Sequence, residues 1–334
     1  MIPQDNSRPT PLARGFLLLV LALALSGCED PTGAPRSWEC IAPAAAGGGW
    51  DLTCRAASSA AQELGLSPGT MRVTNLPGAG GGIAFAHAVA QRDGDEGVLV
   101  AASPATTLRL AQGQFAHLTE EDVRWIAAIG ADYGVVAVSP DAPWNTLEEL
   151  LAEWRPDPTR FVVAGGSAVA GLDHMKMLVL GDAAGVDPLR IRYVPFDGGG
   201  EALTALLGGF VQVLSTDASQ VIPHLEAGTL KVLAVLAPQR AGGVLAGIPT
   251  AHEAGYDVEW ITWRGFYAPL GISEEAYDRW VAVLTEVEQS EVWGRVRQAS
   301  GLDPLFVAGP EFEAFVRDQV TEYREMSREI GLIQ

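Results

Sequence analysis

Short runs of β-branched and apolar residues alternate along the chain with stretches whose apolar positions recur every three to four residues, and glycine-rich turns separate the two. Residues 39–42, 71–75 and 97–101 read as strands, with helices at 51–64 and 83–91 between them. In the first helix Leu52, Ala56, Ala60 and Leu64, with Ala57 and Ala61 alongside, predict a small apolar face. The same grammar returns as strands at 135–138, 161–164, 191–194, 211–214 and 232–236. Asn145-Thr146-Leu147-Glu148 predicts a helix start with an amide cap. After Trp263-Arg264-Gly265 come a strand at 266–268 and two longer helices. The first is capped by Ser273 and carries Tyr277, Trp280, Val281 and Leu284; the second opens at Pro310 and carries Phe312, Phe315, Val316 and Tyr323. These aromatics read as core. Strands alternating with helices predict an α/β protein with mainly parallel sheets. No repeat of fixed period is present, which sets a solenoid aside.

Length adds a domain count: 334 residues suggest about two domains. A formal net charge of −19 sets nucleic acid aside as a partner, because such a chain repels phosphates at long range. The body has no window approaching the roughly 20 apolar residues of a membrane-spanning helix. The N-terminus differs. Arg8 and Arg14 precede an apolar run at 16–25, and Leu25-Ser26-Gly27-Cys28 follows. This predicts a secretory signal peptide, and the cysteine after Leu-Ser-Gly resembles a bacterial lipobox. Residues 1–27 are then removed, Cys28 is acylated, and 28–36, with Pro31, Gly33 and Pro35, form a tether. The protein would touch the membrane only through this lipid, in the periplasm. Cys40 and Cys54 remain as an even pair in an oxidising compartment, so they are predicted to form a disulfide.

Three turns stand between a strand and a helix: Gly47-Gly48-Gly49-Trp50-Asp51, Pro77-Gly78-Ala79-Gly80-Gly81-Gly82 and Pro195-Phe196-Asp197-Gly198-Gly199-Gly200. Glycine lets backbone N–H groups approach a ligand, and the following helix N-terminus adds partial positive charge, so such turns suit anions. A dinucleotide fingerprint fails because Ile83 stands where its last glycine belongs, and no Gly-Lys-Ser/Thr loop exists. Gly165-Gly166-Ser167-Ala168-Val169 ends in Val and is no hydrolase elbow. The five histidines lack close ligand spacing, so neither a metal nor a cofactor is expected.

Ala42-Pro43 through Arg55 and Asn75-Leu76-Pro77-Gly78-Ala79-Gly80-Gly81 resemble two signature loops of the tripartite tricarboxylate transporter substrate-binding proteins. Ser167 with Gly171, the run from Tyr193 to Ala202, Ala234-Val235 before Arg240, Pro249-Thr250 before Glu253-Ala254-Gly255-Tyr256, and Trp263-Arg264-Gly265 match in order over nearly the whole chain after residue 28. Ala44-Ala45-Ala46 departs from the Lys or Pro and Gly of many relatives. The cysteine pair looks most like the branch associated with citrate-type ligands.

The resemblance implies a type II-like periplasmic binding protein with two α/β lobes, residues 37–138 with 259–334 and residues 139–258, closing on an organic di- or tricarboxylate. It implies Gly48, Gly49, Gly78, Ala79, Gly80 and Gly81 as ligand contacts, with Ser103 and Thr106 adding hydroxyls and Ser167, Gly199 and Gly200 closing from the second lobe. Asp51 belongs to the same site, more as a cap and organiser of the loop than as a contact. Arg55 and Arg264 are open between surface, support and site. The implied partners are the large and small subunits of a membrane permease, served by a monomer that is not an enzyme. A sensor-kinase partner binding the same acid, or an enzyme acting on a carboxylic acid, are the alternatives.

Overall fold

The computed structural model describes residues 37–196 and 198–334. The signal peptide, Cys28 and the tether therefore lie outside the described residues, as does Asp197 of the third loop.

The first third alternates as predicted: β1 (Glu39–Ala42), α1 (Gly49–Glu63), β2 (Arg72–Asn75), α2 (Gly82–Gln91), β3 (Val98–Ala102) and α3 (Pro104–Ala111). The long β4 (Val123–Val138) follows, then α4 (Leu147–Trp154), β5 (Val162–Gly165), α5 (Leu172–Ala183), β6 (Arg192–Pro195), α6 (Gly199–Leu207), β7 (Val213–Asp217), α7 (Ala218–Glu226) and β8 (Lys231–Leu236). The chain ends with β9 (Ile261–Pro269), α8 (Glu274–Gln289), α9 (Glu291–Ala299), β10 (Val307–Ala308) and α10 (Gly309–Glu329).

The strands form one path, β2-β1-β3-β9-β4-β7-β5-β6, with β8 and β10 also paired to β4. β1, β2 and β3 are parallel, as are β5, β6 and β7. Strands β4 and β9 run antiparallel to each other in the middle and join the two parallel sets. Because strands point their C-terminal ends toward the following turns, each glycine-rich turn sits on the carboxyl edge of a parallel set, where ligands bind in such sheets.

Four local expectations are corrected. The buried face of α1 is Thr53, Cys54, Ala57, Ser58, Ala60 and Ala61, while Leu52 points outward, 58% exposed. Burial of Asp51 and the bond made by Cys54 rotate the helix past its apolar stripe. Helix α4 is capped by Thr146, not Asn145: Thr146 accepts the Glu149 N–H and Glu149 answers the Thr146 N–H. Three helices, not two, follow β9, because extended Ser290 ends α8 and its hydroxyl accepts the Trp293 N–H that starts α9. Strand β4 begins twelve residues before the predicted 135–138, and Trp125 within it packs edge-on against Trp263 and Phe312.

Candidate functional site

The first loop is fastened from three directions. Cys40 at β1 and Cys54 in α1 form a disulfide with Cα atoms 5.7 Å apart. Buried Asp51, at the third position of α1, accepts the Gly47 N–H at 2.8 Å, the Arg55 guanidinium at 2.9 Å and the Asn75 amide at 2.9 Å. The same Asn75 amide donates to Ala44 O at 2.9 Å, tying the loop to the end of β2. The Arg55 bond, the Gly47 N–H and the Asn75 amide outweigh burial and hold the Asp51 carboxyl down at about 2. Asp51 thus builds the loop, from inside the helix rather than as its N-cap, which is Gly48. Arg55 is half-exposed behind the loop and serves Asp51.

The second loop winds through four successive positive φ angles at 78–81, one of them at Ala79 (φ 51). Glycine makes that path accessible at the other three positions. Trp50 joins this loop to the first and to α3: its ring stands 3.4 Å from where a Cβ on Gly81 would be, and its Nε1 donates to Ser103 Oγ at 3.1 Å. Ser103 also caps α3 by accepting the Ala105 N–H, which leaves its own proton to give. Thr106, in the first turn of α3, is likewise buried. Of the predicted contacts on this side, Gly48 spends its N–H on Ala45 O and Gly81 on Gly78 O. Gly49 at the start of α1, with Ala79 and Gly80, keeps the donors that a short helix start leaves without intrahelical partners.

In the other half of the sheet, Ser167 Oγ accepts the Asp173 N–H at 2.9 Å and lies 3.3 Å from Tyr193 Oη. Gly199 and Gly200 open α6; a Cβ on Gly199 would run into Gln220 and Thr216. A cavity of about 270 Å³ between α6 and α7 is lined by Gly199, Gly200, Leu203, Thr216, Gln220 and Val221, and includes neither of the first two loops. His174 stacks on Tyr193, accepts the Ala170 N–H on Nδ1, and is pushed down to about 4 by burial.

Pattern reading left the charged groups between these halves unplaced. Arg264 on β9 stands with one guanidinium nitrogen 3.1 Å from where a Cβ on Gly49 would be, beside the first loop. Its Nη2 faces Asp132 at 3.4 Å and Asp217 at 3.3 Å. Asp217 also accepts from the fully buried Lys176 at 2.6 Å, and Lys176 donates to Asp173 at 2.9 Å, whose other oxygen accepts the Gly166 N–H. Burial lowers Lys176, but Asp173 and Asp217 outweigh it and keep it charged. Burial and the neighbouring Asp217 push Asp132 up to about 6, against the pull of Arg264 and Ser219. Arg109 on α3 lies along Gly80. Among the described residues no group of three or more His, Cys, Asp or Glu is placed to hold a metal, and no helix is long and apolar enough to cross a membrane.

A mixed sheet with helices on both faces and backbone-donor loops at its carboxyl edges defines an α/β solute-binding protein. The chain belongs to the family described as the tripartite tricarboxylate transporter family receptor, whose model matches residues 54–332. It is 26% identical to the protein BugT of Bordetella pertussis over 96% of this chain and 98% of that one. The structure of a TctC solute binding protein from Polaromonas is 26% identical, covers 88% of this chain and 98% of its own, and superposes with a TM-score of 0.70. MatC from Rhodopseudomonas palustris, solved with bound malate, shares the fold at 22% identity and a TM-score of 0.74, over 87% of this chain and 98% of its own.

Proposed function

We propose that this protein captures a small organic di- or tricarboxylate in the periplasm and delivers it to a membrane permease. The observation that carries the reading is the pair of glycine loops joined through Trp50, which present helix-start N–H groups beside the Arg264 guanidinium. Backbone donors and a helix N-terminus hold one carboxylate, with Ser103 and Thr106 supplying hydroxyls. Two lobes, residues 37–138 with 259–334 and residues 139–258, close on it, bringing Ser167, Gly199 and Gly200 from the second. The relatives' ligands agree in chemistry: one fold neighbour holds malate and another adipate. The run Leu25-Ser26-Gly27-Cys28 supports anchoring through an acylated Cys28; a Cys28→Ser variant should leave the membrane fraction.

Calorimetric titration with citrate, malate, succinate and an uncharged control tests the binding. Micromolar affinity for at least one acid, with none for the control, is the expected result. Binding of a neutral or cationic solute alone would overturn it. Stopped-flow tryptophan fluorescence adds a charge test. The net charge of −19 repels an anion at long range, so the association rate should rise or stay flat as salt is added. A steep fall would mean that the cleft arginines dominate the approach.

A further inference from the structure

We propose that Arg109 selects ligands carrying a second negative group, its guanidinium taking, beside Gly80 of the second loop, the carboxylate that the first loop does not hold; this rests on the carboxylate-binding reading above. Arg109 is placed where the two halves meet. Its side chain lies along Gly80 of the second loop, with Nε 3.2 Å and Cγ 3.5 Å from where a Cβ would stand. In the other half, the Tyr193 hydroxyl donates to Ser167 O at 2.7 Å, holding the loop at 167–171. One turn along α3, the Gln112 amide donates to Ala170 O at 2.9 Å, which brings the loop at 167–171 against the same helix.

What sets this arginine apart is that no carboxylate meets it among the described residues. Arg92, Arg124, Arg264, Arg279 and Arg297 all have side chains less than a quarter exposed, and each meets at least one carboxylate within 3.4 Å. Arg109 is half-buried too, yet among the described residues it meets no acid; its one polar partner is Gln112 Oε1, 3.3 Å from Nη1. Acids outnumber bases 41 to 22 in this chain, so their scarcity is no explanation. A cation removed from water without a partner is costly, and burial here works against its charge. An arginine keeps its proton regardless and offers a planar fork of donors that fits two carboxylate oxygens. A monocarboxylate held at the first loop leaves that fork empty; a diacid of suitable length fills it.

Wild type and Arg109→Gln are titrated with length-matched pairs, succinate against butyrate and adipate against hexanoate. Wild type should favour the diacid in at least one pair by about 10–100-fold, the span of a hydrogen-bonded charge pair. R109Q should lose that preference while its monoacid affinity stays within about twofold, and R109K should retain part of it. Equal losses on both members of a pair, or unchanged diacid affinity, would overturn the role of Arg109 while carboxylate binding itself stands. Wild type that binds none of the four acids, nor citrate or malate, overturns the proposed function, and this inference with it; if only citrate or malate binds, an unchanged R109Q affinity for it overturns the inference alone. If R109Q melts early, R109K carries the test through the same split between diacid and monoacid.

Discussion

Two loops on opposite halves of the sheet are anchored by the same device with opposite electrostatics. Asp51 takes the Gly47 N–H and Asp173 takes the Gly166 N–H, each from the first turn of the helix that follows its loop. Asp51 is balanced by Arg55, half in water, and its carboxyl is depressed to about 2. Asp173 is balanced by Lys176, wholly out of water, and burial pushes its carboxyl up despite that partner. The first anchor is local and reinforced by a covalent bond. The second belongs to a closed set of charges reaching through Asp217 to Arg264, beside the first loop. The difference teaches that the first loop is built to be preformed, whereas the second is held only as long as its counter-charges stay in place.

The sharpest test of that contrast is Lys176→Met, which leaves buried Asp173 without a cation and Asp217 with Arg264 alone. It should cost about 3–5 kcal/mol and lower the melting temperature by on the order of 10 °C, read by calorimetry. Removing the disulfide through Cys40→Ala with Cys54→Ala should cost about 3 kcal/mol, since it closes a loop with a sequence separation of 14. If the second change costs more than the first, the halves are anchored the other way round.

Asp51→Asn comes next, at about 1–2 kcal/mol once the exposure of Arg55 is allowed for. A carboxyl depressed in the folded state stabilises above its unfolded value, near 3.8, and that contribution disappears as pH falls through about 2. The gap between wild type and D51N in urea should therefore be constant above pH 4 and close toward pH 2. The smallest effect concerns Asp132, raised to about 6. Its shift runs the other way, so acidification from pH 7 relieves rather than harms the fold. Protonation there removes one negative charge beside Arg264. A strong-acid probe such as tartrate should bind about 2–5-fold more tightly at pH 5.5 than at 7.5 on simple coulombic grounds, and Asp132→Asn should flatten that dependence.

The elements that sequence made legible are those with local signals. Glycine and proline punctuate the turns at 47–49 and 77–82, and short apolar runs mark β1, β5 and β8, so the carboxyl-edge loops were placed from pattern alone. Ser273 and Pro310 likewise announce their helices. The first half of β4 escaped because Gly130 and Gly134 interrupt its apolar run, and α3 because the β-branched Thr106 and Thr107 weaken the helical signal of a short element. The charged set escaped for a deeper reason. Lys176 and Asp217 are 41 residues apart and Arg264 lies 132 residues from Asp132, and no periodicity links residues that meet only through strand order. Arg109 carries no motif at all; its interest lies in meeting no carboxylate among the described residues.

The Cys40–Cys54 bridge also makes the shape of the first loop depend on redox compartment. Thiols stay reduced in the cytosol and pair in oxidising compartments, so under the proposed periplasmic role the loop between β1 and α1 would take its finished shape only after export. With its thiols free, that loop would rest on Asp51 and Asn75 alone, and the proposed capture of an acid would be weakest where thiols stay reduced.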